Sequence, residues 1–202
     1  LTAYARASDI EIVTGIEVKS IASNGESIVI ITGSDAYHAE IVVIATGAWT
    51  SLIELGENAL PVEVKPIRGQ MICYRPTDSF SHVVYSKRGY LVPRADGRLL
   101  VGATVEDVGF DKSLTADGIA SLRHIASEIA PTLEDLEITD QWAGLRPYAF
   151  REEPFIGEVH GMKNVFAAVG HYRNGILLAP ITAKMIADRI LSAGRANDAV
   201  KS

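Results

Sequence analysis

The sequence predicts a mixed α/β fold of the α+β kind, in which segments of a buried-sheet unit flank a unit of mostly antiparallel strands. Three observations predict it. The run Val165-Phe166-Ala167-Ala168-Val169 is wholly apolar, as in a strand covered on both faces, and it stops at Gly170. Residues 41–45 give a second such run, ending near Gly47. Between the two, Pro61, Pro66, Pro76 and Pro93 punctuate short strand-like segments that share the stretch with one helical pattern. Residues 1–60 and 141–202 are therefore expected to form the buried-sheet unit, and residues 61–140 the antiparallel one.

Taken in order, residues 1–9 read as the end of a helix and residues 10–13 as the start of a strand. Residues 18–21 and 27–32 read as two strands joined at Asn24-Gly25, a hairpin signal because both residues accept positive φ. In the antiparallel unit, strands are expected at residues 62–65, 70–74, 82–85, 90–92 and 99–103, with Asp96-Gly97 turning between the last two. Ile119, Leu122, Ala126 and Ile129 share one face of a helix that Pro131 closes. After Asp140 the chain is expected to rejoin the first unit. In the last helix Ile176, Ala179, Ala183, Ile186, Ala187 and Ile190 line one face, with Asn174 as the expected N-cap. From Ser192 the residues are small and polar, so fraying is expected.

Composition excludes several classes. A chain of 202 residues suffices for one sizeable domain or two small ones. A net charge of -6 and a pI near 5.4 argue against a nucleic-acid partner, since no basic cluster exists to displace counterions. The apolar runs are too short to span a bilayer. The start, Leu1-Thr2-Ala3-Tyr4-Ala5-Arg6, has no charged-then-apolar leader pattern and no initiator Met, so the chain is expected to begin inside a longer protein. The lone Cys73 forbids an internal disulfide and fits a reducing, cytoplasmic setting. His38, His82, His124 and His160 show no metal-ligand spacing, so no metal is expected.

Between the last strand and helix lies Gly170-His171-Tyr172-Arg173-Asn174-Gly175, a loop that can offer N–H groups and the positive end of a helix dipole to an electron-rich ring or an anion. The pattern alone also suits an ordinary strand–loop–helix. The loop continues as Ile176-Leu177-Leu178-Ala179-Pro180, and upstream stand Gly89-Tyr90-Leu91-Val92-Pro93-Arg94 and Trp142-Ala143-Gly144-Leu145-Arg146-Pro147. Together and in this order, these strings resemble FAD-dependent amine oxidases of the D-amino-acid oxidase family, most of all its glycine oxidases of the thiamine pathway. The resemblance covers nearly all of this chain but only the later part of such an enzyme. Pro66-Ile67-Arg68-Gly69-Gln70 resembles the family's crossing between cofactor and substrate domains.

The resemblance implies non-covalent FAD, because no flavin-facing motif contains cysteine, and hydride transfer from glycine or a small amine to flavin, with oxygen as acceptor. It implies that Arg146 clamps the substrate carboxylate, a task suited to a planar, permanently charged guanidinium, and that Tyr90 adds a hydroxyl donor. On residue pattern alone, Arg146 reads as a structural ion pair and Tyr90 as a cross-strand aromatic. Arg173 would face the substrate amine or the flavin; on pattern alone it is a solvent-exposed loop arginine. Val18, Thr46, Gly47, Trp49, Gly144 and His171 fall in segments that pass beside the flavin in the family. Asn174, Gly175, Ile176 and Leu177 would turn backbone N–H groups toward its pyrimidine end, where negative charge gathers on reduction. No catalytic base is required if the substrate amine binds neutral, and a His at a strand end, such as His171, is more often simply hydrogen-bonded in place.

Two departures stand out. The sequence contains no GxGxxG, so the pyrophosphate cradle is missing and the chain is expected to be a fragment. Val105 and Arg88 stand where the family's glycine oxidases carry Met and His, which leaves the amine open. The alternatives are a D-amino-acid or sarcosine-type oxidase or dehydrogenase, and a flavin-free binding subunit. The family also makes a homo-oligomer an expected assembly.

Overall fold

The computed structural model describes residues 5, 7–8, 10–23, 27–76 and 80–200, the side chains of residues 151 and 194–200 excepted. Strands β1 (Val18–Ser23), β2 (Ile28–Thr32) and β3 (Ala36–Ala39) form an antiparallel sheet in that order. A second sheet has the order β10-β11-β4, with β4 (Val42–Ile44) parallel to β11 (Val165–Val169) and β10 (Phe155–Glu158) antiparallel to it. The third sheet is antiparallel and contains β5 (Val64–Tyr74), β6 (Val84–Tyr85), β7 (Tyr90–Pro93), β8 (Leu99–Gly102) and β9 (Asp140–Ala149), in the order β6-β7-β8-β5-β9. Helix α1 (Ala116–Ile129) packs on this sheet, and α2 (Gly175–Val200) follows β11. The mixed architecture with a mostly antiparallel sheet is the one the sequence predicts.

Two apolar cores result. The first gathers Ile21, Ile28, Ile44, Val64, Val165, Ala167 and Val169. The second gathers Ile72, Tyr74, Leu91, Leu99, Val101, Leu122 and Ala126, so α1 buries the face read from its periodicity. The Thr115 side chain caps α1 by accepting from the Gly118 N–H at 3.1 Å. Strand β5 belongs to both cores: Val64 enters the first, and Ile72 and Tyr74 enter the second.

Several expectations are corrected. Residues 62–65 and 70–74 belong to one continuous strand, β5, in which Pro66 is a regular member facing Pro147 of β9. The reason lies in donor direction. Arg68 exchanges backbone hydrogen bonds with Glu106 at 2.8 and 3.0 Å, on the side away from β9. Pro66, two residues earlier, aligns with that side, so its missing N–H costs β5 no bond to β9. Residues 140–149, expected to rejoin the first unit, form the edge strand of the five-stranded sheet. The chain enters the sheet containing β4 only at β10.

Residues 10–13 form no strand, and Ile10, Ile12 and Val13 stand 54%, 45% and 50% exposed. Strand β3 was not expected, because Ala36-Tyr37-His38-Ala39 lies at a sheet edge and carries no buried face. The Asp96-Gly97 turn forms as expected, with Gly97 at φ 81°. The Asn24-Gly25 turn lies outside the described residues, as does most of the segment 1–9, while the pairing Ser23↔Ile28 places β1 and β2 on either side of residues 24–26. Asn174 is not an N-cap: it ends a 3-10 turn that starts after His171, and α2 continues directly from it. The helical backbone of α2 runs past Ser192 to Val200.

Candidate active site

The site grows from one face of the five-stranded sheet. Directly opposed residues of an antiparallel ladder share a face, as do alternate residues of one strand. The register pairs Tyr90 with Gly102, Gly102 with Met71, Gly69 with Gly144, and Ile67 with Arg146. Tyr90, Gly102, Gly69, Gly144 and Arg146 therefore point to the same side. Three of the five are glycines, and two of these have a reason. A Cβ on Gly69 would lie 2.3 Å from Arg146 Nη2, and a Cβ on Gly102 would lie 2.7 Å from the Tyr90 ring. The two long side chains thus lie flat across strands that carry no side chain beneath them.

Arg146 reaches over β5 to donate from Nη1 to the carbonyls of Arg68 (3.4 Å) and Thr104 (3.1 Å). Among the described residues it forms no ion pair, which removes the structural ion-pair reading, and its Nε and Nη2 make no hydrogen bond. Tyr90 stacks near-parallel on Tyr85, with ring centroids 6.3 Å apart. Both face a cleft of about 500 Å³ into which Lys87, Arg88 and Arg173 also project. Among the described residues, no aspartate, glutamate or histidine lines it. Arg88 is paired with Glu128 at the rim.

The loop before α2 closes the other side. Tyr172 is buried at φ 47°, held edge-on by Tyr148 at 5.1 Å, and the Arg173 guanidinium lies 5.1 Å from the Tyr172 ring centroid. Gly175 and Ile176 border the cleft, with Ile176 95% and Leu177 78% exposed at the first turn of α2. Apolar side chains so exposed are left largely uncovered by the described residues.

Tyr90, Arg146, Arg173, Gly175 and Ile176 are therefore gathered in one place, and Gly144 lies on the same face of the sheet without lining the cleft. Other candidates are elsewhere. His171 turns away, its Nε2 3.0 Å from the Thr182 hydroxyl, and burial lowers its pKa, so it is a neutral, hydrogen-bonded residue outside the cleft. The Asn174 N–H is spent on the His171 carbonyl at 2.9 Å. Val18 packs on the first core, and Thr46, Gly47 and Trp49 lie at the 3-10 turn after β4, where Thr46 and Thr50 hydroxyls are 3.1 Å apart. None of these four borders the cleft. Sequence reasoning missed Gly69 and Gly102. Their signal was present, because a glycine inside a strand marks a close approach.

A family of FAD dependent oxidoreductases matches residues 1–189. The chain belongs to this family. It is 37% identical over 190 residues to a glycine oxidase of Pseudomonas aeruginosa, covering 93% of this chain and 51% of that protein. It is 40% identical over 195 residues to the bifunctional protein ThiO/ThiG of Synechocystis sp., covering 93% of this chain and 28% of that one. The crystal structure of glycine oxidase from Geobacillus kaustophilus superposes with a TM-score of 0.86 at 35% identity, over 94% of this chain and 52% of that one. The chain thus spans about half the length of the glycine oxidases it matches. Family members are FAD-dependent, and among the described residues no helix is long and apolar enough to cross a membrane.

Proposed function

We propose that this chain is the carboxylate-binding part of an FAD-dependent amino-acid oxidase of glycine oxidase type. One observation carries the reading: Arg146, a guanidinium without a carboxylate partner among the described residues, lies on a glycine floor beside the Tyr90 ring, in a cleft that those residues line with cations and no acid. An arginine so placed is an anion site with donors to spare.

The residues present fit the ring end of FAD. Gly175 leaves its surroundings open, with the nearest atom to a built Cβ at 3.7 Å. The exposed Ile176 and Leu177 supply apolar surface, and first-turn N–H groups of a helix have no carbonyl four residues back. The sequence holds no GxGxxG, so the pyrophosphate end is not supplied by these residues. When bound, FAD would supply the acceptor for a hydride from the substrate Cα.

The chain's own residues do the rest. Arg146 and Tyr90 fix the carboxylate, which fixes Cα, and an oriented bound substrate has already met the entropic cost of encounter. Lys87, Arg146 and Arg173 give the cleft positive charge, while that of Arg88 is offset by Glu128, and this field disfavours a protonated ammonium and lowers the amine pKa. The substrate then enters as the neutral amine, and no side chain needs to act as a base. Oxygen as final acceptor, a role in thiazole synthesis, a cytoplasmic location and a homo-oligomeric assembly complete the reading. The glycine oxidase and ThiO/ThiG relatives support its oxidase and thiazole parts.

The test is the visible spectrum of this chain, and of the chain extended to the full length of its relatives, mixed with FAD before and after anaerobic glycine. The extended protein is expected to bind flavin and to lose its visible band with glycine. Reduction by sarcosine or D-alanine but not glycine would move the assignment to the other amine oxidases. A protein that binds no flavin would overturn the oxidase reading.

A further inference from the structure

Below the cleft, on the opposite face of β5, lies a buried polar network with no place in the reaction. Arg68 and Gln70 are 3% and 0% exposed and point away from Gly69 and Arg146, as alternate strand residues must. Both converge on Glu106. Arg68 donates to Oε2 from Nε at 3.1 Å and Nη2 at 2.5 Å, while Gln70 Nε2 and the Thr104 hydroxyl donate to Oε1. Thr104 Oγ1 also accepts the Gln70 backbone N–H at 2.8 Å. Arg68 finds a second carboxylate in Asp111, at 2.7 Å.

Four donors meeting one carboxylate make a rigid unit: the Glu106 side chain is 24% exposed, but its partners Arg68 and Gln70 are buried, so losing any one contact leaves a partly desolvated group short of a partner. That unit has two outlets on the cleft side. The carbonyls that hold Arg146 Nη1 belong to Arg68 and Thr104, both members of the network. The Arg68 carbonyl is further pinned by the Glu106 N–H at 3.0 Å.

We propose that Glu106 and Thr104 are positioning residues for Arg146: they fix, through the strand, the two carbonyls that aim its guanidinium into the cleft. The use of that guanidinium for a substrate carboxylate rests on the function proposed above; its positioning does not. Neither Glu106 nor Thr104 touches the substrate in this scheme. They act by reducing the freedom of the one residue that does, and a preorganised donor loses less entropy when its anion arrives.

The experiment is side-chain NMR of the Arg146 guanidinium in the folded 202-residue chain, reading the rate of rotation about the Nε–Cζ bond, with acetate added afterwards as a separate probe. Thr104→Val removes the hydroxyl at nearly constant volume, and Thr104→Ser restores it. Rotation is expected to speed up by about tenfold or more in Thr104→Val and in Glu106→Gln, and to return to the wild-type rate in Thr104→Ser. An unchanged rate in folded Thr104→Val overturns the proposal, whether or not Glu106→Gln folds. A slow wild-type rotor, freed in Thr104→Val yet indifferent to acetate in the wild type, upholds the positioning and overturns the carboxylate reading instead.

Discussion

At the scale of single residues, Arg146 and Gly69 make a matched pair of tests. In a complete enzyme Arg146→Ala should cost roughly 2–5 kcal/mol in substrate binding or turnover, the scale for removing one partner of a desolvated charge pair. Steady-state kinetics with glycine check this, and near-normal values would remove Arg146 from the site. Gly69→Ala should weaken glycine comparably while barely moving the melting temperature, because the three atoms nearest the new Cβ belong to the end of a long side chain that can swing away. Glu106 gives a third expectation. Burial raises its pKa, but hydrogen bonds from Thr104, Gln70 and Arg68 and the Arg68 charge outweigh this and hold it below the ordinary carboxylate value. A depressed folded pKa contributes stability that is complete above the unfolded value and lost as pH falls through the folded one. As pH falls through and below the ordinary carboxylate range, denaturant midpoints should therefore fall more steeply in the wild type than in Glu106→Gln. The sequence motifs single out Tyr90, Arg146 and Arg173, which the fold brings to one cleft. They are silent on Glu106, whose partners Arg68 and Gln70 are 38 and 36 positions away and meet it only once β5 is in place.

At the scale of elements, what could be read was whatever depends on local pattern. Leu122 and Ala126 announce the buried face of α1, Asp96-Gly97 announces its turn, and residues 165–169 announce a covered strand. What could not be read depends on a neighbour. Pro66 looks like a break in sequence, yet it sits inside β5 because the direction of its absent donor is decided by Glu106 and β9. Residues 10–13 alternate like a strand and find none to pair with among the described residues. The cap of α1 offers a clean local test. Thr115→Ala removes the acceptor of the Gly118 N–H and one partner of Gln70 Nε2, and should lower stability by about 1 kcal/mol or more. Chemical denaturation measures it; a change too small to resolve would mean that the capping contact contributes nothing.

At the scale of the whole molecule, β5 joins the two cores, so neither can be lost while the other keeps its strand. Unfolding should be one transition. Trp49 lies in the 3-10 turn after β4, and Trp142 lies in β9 of the five-stranded sheet, so single-tryptophan variants report on two separate positions. Coincident fluorescence midpoints are expected, whereas separate ones would show that β5 does not couple the halves.

The contact between Arg146 Nη1 and the Arg68 carbonyl spans 78 positions of chain. On a ribosome working at about 5–20 residues per second, β5 is made roughly 4–16 s before the residue that must lie across it. During that interval Lys65, Ile67 and Gly69 present their backbone donors along an open edge, with the charge of Lys65 as a guard against pairing with the wrong strand. The Arg146 guanidinium is thus a late arrival in the life of the nascent chain, and a chain stalled before β9 has a sheet but not the cleft proposed as its site.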